Sequence, residues 1–326
     1  MKRIVSFFGE HNAAFDRLNR ETAEYAESLG FEYRWVIQKP FNRESVIEEL
    51  KNADCGLIDI EPYGSDIFEP IKDRCKLLVR FGVGFDKVDL KAASESHIAV
   101  GRTVGANTQG VAEMAMTFML SSHRKLKENM KLVEDCNWIK DVTNELSGST
   151  IGIAGYGAIG QAVSKLLAGF GCRIIAYDPY PNHEVAERNS VEFVSMEDLF
   201  MQSDSITVHM PYSEETHNTI NKDLLSLMKP TSVIVNTSRG NIIHEEDLYN
   251  VLANHKICGA ALDVFATEPL PVSSPLIGLD NCILTPHVSS QTYESLWRIY
   301  KMAVDITKEF YDGRTGRWLL NPDYNG

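Results

Sequence analysis

The chain has 326 residues and a formal net charge of −13, with 44% hydrophobic and 24% charged residues. These are ordinary values for a globular chain long enough to build two cores. The acidic balance disfavours nucleic acid and anionic membrane surfaces as partners, and no uncharged apolar run approaches the roughly 20 residues of a membrane span.

The six cysteines (Cys55, Cys75, Cys136, Cys172, Cys258 and Cys282) are scattered and form no Cys-x-x-Cys pair. They fit reduced thiols in a cytosol better than a disulfide framework or a zinc site. The apolar start, residues 4–8, lacks a small-residue cleavage site and reads as a first strand, so a cytoplasmic location is expected.

Strand-like and helix-like patterns then alternate. Residues 13–29 read as a helix stopping at Gly30, residues 31–37 as a strand and 45–51 as a helix. Residues 55–60 and 76–81 are two more short apolar strands. Such alternation predicts a parallel sheet with helices on both faces. A mostly helical stretch runs from about 108 to 140. A second series of strands follows at 150–154, 173–177, 205–208, 232–236, 257–262 and 281–284. A last helix, about 291–312, carries Tyr293, Leu296, Trp297, Tyr300, Ala303, Val304 and Phe310 at helical spacing. With no repeat and no Pro/Gly linker, the chain reads as two α/β units joined by crossings, with a cleft between them.

The sharpest local signal is Gly155-Tyr156-Gly157-Ala158-Ile159-Gly160, directly after the strand 150–154 and opening a helix-like run, 161–170. The three glycines suit a tight turn, close approach of backbone to a pyrophosphate, and close helix–strand packing. The helix N-terminus adds free N–H groups and a positive dipole end. Asp178 closes the next strand, 18 residues after Gly160. A carboxylate there can bind a ribose diol and repel a 2′-phosphate, which predicts NAD rather than NADP. The alternative is a solvated turn residue before Pro179.

Three side chains in the second half each follow a predicted strand end: Arg239, Glu268 and His287. In open α/β sheets, ligands bind at those carboxyl ends. Hydride transfer to a 2-keto acid needs a proton donor for the carbonyl oxygen, a cation for the carboxylate and a fixed nicotinamide. Imidazole and guanidinium supply the first two.

Beyond these residues, the chain resembles the D-isomer-specific 2-hydroxyacid dehydrogenase family from about residue 76 to 312. The marks are Arg80-Phe81-Gly82-Val83-Gly84-Phe85-Asp86, Asn107 with Val111-Ala112-Glu113, the glycine motif, and Val208-His209-Met210-Pro211. Further on come Asn236-Thr237-Ser238-Arg239-Gly240, Ala261-Leu262-Asp263-Val264-Phe265 with Glu268-Pro269, and Pro286-His287. The resemblance implies an α/β fold of two doubly wound parallel-sheet domains. A Rossmann cofactor domain, residues 102–289, would be inserted into a flavodoxin-like substrate domain, residues 1–101 and 290–326.

It also implies roles. His287 would be the general acid/base, and Glu268 would orient it and favour imidazolium. Arg239 would grip the substrate's carboxylate and C2 oxygen. Phe81-Gly82-Val83-Gly84 would offer backbone N–H groups to the carboxylate. Asp263 would accept from the nicotinamide carboxamide. His209, Pro211, Thr216, Thr237 and Ser238 would line the cofactor, with Arg239 and His287 facing cofactor and substrate alike. The region 106–145 would form a two-fold homodimer, with Trp138 either an interface anchor or a group reaching the partner's active site.

For the substrate, Asp59 and Glu61 follow a strand where phosphoglycerate-type relatives tend to carry arginines. Two carboxylates there favour an unphosphorylated acid such as glyoxylate or hydroxypyruvate, with Lys72 and Arg74 as candidate compensating charges. D-3-phosphoglycerate is the alternative, because Arg80-Phe81-Gly82-Val83-Gly84 also resembles that subfamily. An NADH-sensing, corepressor-like binding protein is the alternative of another class.

Overall fold

A computed structural model describes residues 1–325. In chain order its elements are β1 (Lys2–Ser6), α1 (Ala13–Ser28), β2 (Phe31–Trp35), α2 (Arg43–Lys51), β3 (Cys55–Ile58), α3 (Ser65–Ile71), β4 (Leu77–Arg80), α4 (Leu90–Glu95) and β5 (Ala99–Arg102). There follow α5 (Thr108–His123), α6 (Leu126–Glu134), β6 (Thr150–Ala154), α7 (Ala158–Leu167), β7 (Arg173–Tyr177), α8 (His183–Arg188), β8 (Val191–Phe193) and α9 (Met196–Gln202). The rest are β9 (Ser205–Val208), α10 (Lys222–Leu225), β10 (Val233–Asn236), α11 (Glu245–Ala253), β11 (Gly259–Leu262), β12 (Cys282–Leu284) and α12 (Tyr293–Tyr311). The chain divides into two units: Met1–Asn107 with the segment from Gln291 onward, and Thr108–Ser290.

The first unit is built on a five-stranded sheet in the order β2-β1-β3-β4-β5, with every pair parallel. β3 and β4 are buried throughout, as expected of parallel strands covered on both faces. Helix α1 begins where Asn12 Oδ1 accepts from the Ala14 and Phe15 N–H groups, a cap that frees no donor to solvent. Its buried residues Phe15, Leu18, Thr22 and Ala26 recur at helical spacing. Helix α12 buries Leu296, Ile299, Tyr300, Ala303 and Val304 and packs on α1 and β4. The aromatic stripe read from the sequence is therefore core. The Tyr300 hydroxyl donates to Phe8 O at 2.9 Å and accepts from Asn19 Nδ2 at 3.2 Å. Its ring meets Phe81 edge-on at 4.8 Å, and Phe81 in turn stacks on Phe8 at 4.4 Å.

The second unit carries a seven-stranded sheet, β12-β11-β10-β9-β6-β7-β8, also with every pair parallel. This is the doubly wound order of dinucleotide-binding folds with one strand added. Chain order reverses between β6 and β9, the switch point at which such sheets open a crevice. One face is covered by α5 and α7 through Ala112, Met116, Met119, Val163 and Leu167. The other is covered by α9, α10 and α11 through Leu199, Phe200, Leu225, Leu248 and Leu252.

Two differences from the sequence reading stand out. The helical stretch expected to reach 140 ends at Glu134, and residues 137–143 are neither helix nor strand. Lys125 at φ +46° breaks it internally and Cys136 at φ +58° ends it; α6 buries no residue that would hold it against a neighbour. The short strands β5 and β8 were not anticipated. Three or four residues are too few to show an alternation, and both are fixed by pairing to β4 and β7.

Candidate active site

The glycine turn follows β6. Gly155 sits at φ +94°, and a Cβ there would lie 2.7 Å from His209 C and Met210 N, so the chain leaving β9 crosses directly over it. A Cβ at Gly160 would meet Gly155 O at 2.4 Å, which keeps α7 tight against the turn. Gly157, by contrast, faces open space. Asp178 is held beside this turn: Oδ2 accepts from Tyr156 N at 2.8 Å and Oδ1 from Tyr180 N at 2.9 Å. Both oxygens keep acceptor capacity for a diol. The Tyr156 side chain turns away from the turn, its hydroxyl bonded to Ser164 Oγ and Asn189 Nδ2, so only its backbone borders the cradle. Ala158 and Ile159 open α7.

Across the switch point, His209 Nε2 lies 2.9 Å from Thr207 Oγ1, while its Nδ1 is buried without a partner among the described residues. Burial pushes the ring down to about 3, so it is neutral at any working pH. Thr216 knots the following loop, donating to Pro211 O at 2.8 Å and accepting from Ser213 N at 2.7 Å. Ser238 Oγ donates to Met210 O, and Thr237 Oγ1 is buried without a partner among the described residues. An open glycine cradle, an acceptor pair at Asp178 and two buried polar atoms awaiting partners fit a dinucleotide.

The three side chains read as candidates for the chemistry, Arg239, Glu268 and His287, lie in the same unit. Asn236, buried at the end of β10, shapes the Arg239 turn by accepting from Ser238 N at 3.0 Å and donating from Nδ2 to Arg239 O at 2.9 Å. The next residue must be glycine, because a Cβ at Gly240 would fall 1.9 Å from Phe265 C. That contact presses the Arg239 turn against the segment leading to Glu268. Glu268 Oε1 accepts from Phe265 N at 3.0 Å, and Oε2 lies 2.8 Å from His287 Nδ1. Burial pushes the Glu268 carboxyl up, but the hydrogen bond and charge of His287, with Phe265 N and Arg239, outweigh burial and hold it below its ordinary value. With Nδ1 on the carboxylate, Nε2 is the nitrogen left to exchange a proton.

Asp263 has zero exposure. Its Oδ1 accepts from Thr285 Oγ1 at 2.5 Å and Val288 N at 2.8 Å, and its Oδ2 from Ser289 N at 2.8 Å. Its carbonyl accepts from His287 N at 2.9 Å. Sequence reasoning gave Asn236, Gly240 and Thr285 no function. The partners of Gly240 and Thr285 lie on other loops, whereas Asn236 bonds within its own turn, and its polar character at a strand end hinted at a cap.

In the first unit, Phe81 is core and the Gly82 N–H is taken by Thr103 Oγ1 at 2.8 Å. That leaves Val83 and Gly84 as the donors of that turn. Asp59 is buried, and burial followed by the Asp59 charge pushes the Glu61 carboxyl up against Arg80 and Lys39. Lys72 and Arg74 do not compensate. They precede β4, at the amino end of the parallel strands and so opposite Asp59, where Lys72 pairs with Glu69 at 2.6 Å and Arg74 with Asp54 at 2.9 Å. Among the described residues no helix is long and apolar enough to cross a membrane, and no cluster of ligating side chains could hold a metal.

A doubly wound unit with a glycine cradle and a paired imidazole defines an NAD-dependent oxidoreductase acting on CH–OH groups, and the comparisons agree. Residues 116–289 match the family described as D-isomer specific 2-hydroxyacid dehydrogenase, NAD binding domain. The chain belongs to the D-isomer specific 2-hydroxyacid dehydrogenase family. It is 32% identical to a glyoxylate reductase of Korarchaeum cryptofilum, covering 89% of each chain. It is 36% identical to a D-3-phosphoglycerate dehydrogenase of Methanocaldococcus jannaschii over 94% of this chain, but spans only 58% of that protein. Among solved structures it is similar to the NAD-dependent formate dehydrogenase of Staphylococcus aureus in complex with NAD, with 30% identity and a TM-score of 0.82, covering 98% of this chain and 99% of that one.

The neutral His209 has a consequence for stability. Its folded value lies far below the ordinary 6.5, so the unfolded chain binds the extra proton between those limits. Stability from this site is complete above pH 6.5 and is lost as pH falls, by about 1.4 kcal/mol per pH unit. Urea denaturation of His209→Gln should show a flatter decline between neutral pH and pH 5 than the parent.

Proposed function

We propose that the chain is a D-2-hydroxyacid dehydrogenase working as a reductase of small, unphosphorylated 2-keto acids such as glyoxylate or hydroxypyruvate. The observation that carries this reading is the His287–Glu268 pair at 2.8 Å beside the Arg239 turn. Residues Gly155 to Gly160, Asp178, His209, Pro211, Thr216, Thr237 and Ser238 would hold NAD, which supplies or accepts the hydride when bound. Arg239 binds the acid's carboxylate and polarises its C2 oxygen. His287 Nε2–H gives its proton to that oxygen in reduction and takes it back in oxidation. Glu268 fixes the ring and stabilises its cationic form.

The substrate preference rests on Asp59 and Glu61. Like charge at these two acids disfavours a phosphate, although Arg80 and Lys39 oppose part of it at Glu61, and Lys72 and Arg74 pair elsewhere. We also propose a homodimer through the region 106–145. Helix α6 buries none of its residues, and Met130, Val133, Trp138 and Val142 are exposed, the last two at 82% and 93%. Exposed apolar residues gathered in one short stretch of chain support an interface there.

Turnover should be followed by NADH absorbance with a panel of keto acids. Glyoxylate or hydroxypyruvate should exceed the phosphorylated analogue at least about tenfold in kcat/KM. His287→Ala should lower kcat about 10²–10⁴-fold with NADH affinity retained. Near-parental turnover of that variant would end the acid/base assignment. Asp178→Ala should raise KM for NAD and narrow its margin over NADP; an unchanged ratio would remove Asp178 from the ribose. In sedimentation, the parent should be a dimer and Val133→Asp/Val142→Asp a monomer, whereas a monomeric parent would refute the interface.

A further inference from the structure

We propose that Glu245, in the first turn of α11, is a positioning residue for Glu268. Its carboxylate holds the turn 265–268 in the shape that brings Glu268 to His287. This rests on the reading of His287 and Glu268 given above. Phe265 is the last buried residue of the segment leaving β11, and residues 266–269 are exposed, so hydrogen bonds rather than packing must fix their course. Two successive amides of the turn each meet a carboxylate. Phe265 N donates to Glu268 Oε1 at 3.0 Å within the turn, and Ala266 N donates to Glu245 Oε1 at 2.6 Å on a separate segment of chain. Glu268 is left with Oε2 for His287 Nδ1.

The place of the bond matters. Arg239, Gly240 and Glu245 lie in one stretch after β10, and Gly240 leaves no room for a Cβ against the backbone of Phe265. That contact sets only how near the two segments come. The bond from Ala266, one residue further along, adds direction. Together they lock the stretch carrying the guanidinium to the turn carrying Glu268. The alternative task for Glu245 is to favour the N-terminus of α11 by its charge, alongside Glu246 and Asp247. A charge can do that from any rotamer. Here Oε1 lies on an amide of another loop, at the short distance of a charge-assisted hydrogen bond.

The test uses the full-length protein with Glu245→Gln, Glu245→Asp and Glu245→Ala. Glu245→Gln keeps the length and an acceptor oxygen but loses the charge, whereas Glu245→Asp keeps the charge beside the helix and falls one methylene short of Ala266 N. Positioning predicts that Glu245→Gln stays within about threefold of the parent in kcat. Glu245→Asp and Glu245→Ala should lose about tenfold to a hundredfold, the scale of a slightly misplaced catalytic group. The dissociation constant for NADH should move less than about threefold in all three. Nitrogen-15 NMR of the imidazole, without cofactor, should show the Nδ1–H signal of His287 kept in Glu245→Gln and weakened or lost in the other two. If Glu245→Ala fails to fold, the other pair decides. The proposal is overturned if Glu245→Asp keeps kcat while Glu245→Gln loses it, which is the order a helix-terminus charge gives. It is equally overturned if Glu245→Asp and Glu245→Ala leave kcat and the His287 signal at parental values. Should His287→Ala prove fully active, the acid/base reading falls, while the NMR measurement still judges the role of Glu245.

Discussion

A carboxylate taken out of water has to be given donors, and unpaired it costs several kcal/mol. This constraint organises both units. Asp54 stands just before β3 and accepts from Arg3 N on β1; Asp204 stands just before β9 and accepts from Thr150 N on β6. In each case the acid ties the start of one strand to the start of its parallel neighbour, and a cation closes the pair, Arg74 in one unit and Lys229 in the other. At the opposite, carboxyl ends of the second sheet the same device serves chemistry. Asp178 takes the Tyr156 and Tyr180 amides, Glu268 the Phe265 amide, and Asp263 the amides of Val288 and Ser289. Acids at the starts of strands register the sheets, and acids at their ends shape the loops.

The two kinds of histidine in the second unit show how environment divides one chemistry into two uses. His209 is kept neutral by burial, with the Thr207 hydroxyl as its partner. His287 is partly exposed and shares its Nδ1 with a carboxylate that is itself held below its ordinary range. The first can only line a site. The second has a counter-charge, a defined tautomer and a free nitrogen, which is what proton transfer requires.

Much of this was legible from the chain. The glycine motif, Asp178 and the order Arg239, Glu268, His287 are local signals, each set by a strand end and a short turn. The alternation of elements gave the parallel sheets, and the spacing in α12 gave its buried face. What the sequence could not display were pairings across distance. Nothing near residue 240 shows that the backbone of Phe265 lies against it. Nothing near Asp263 shows that its partners follow 22 to 26 residues later. Lys72 and Arg74 precede the strand read at 76–81, so their place at the amino end of a parallel sheet, away from a ligand at the carboxyl ends, was already legible; only their partners Glu69 and Asp54 were not. The end of α6 was missed because apolar residues at helical spacing are present whether or not a partner covers them.

The discontinuity of the first unit bears on how the molecule is made. Its sheet is complete by Arg102, yet the face carrying Phe8, Leu18 and Phe81 is covered by α12, which begins only at Tyr293. During synthesis α1 can cover part of that cluster, but the part filled by α12 stays open while the whole of Thr108–Ser290 emerges. The contiguous unit can fold as it leaves the ribosome, whereas the earlier one must wait for its last helix. A folded insert also replaces a long flexible loop by fixed ends, lowering the entropy cost of bringing α12 home. The order of maturation is thus the reverse of the order of translation, and the waiting surface is where a chaperone would be needed.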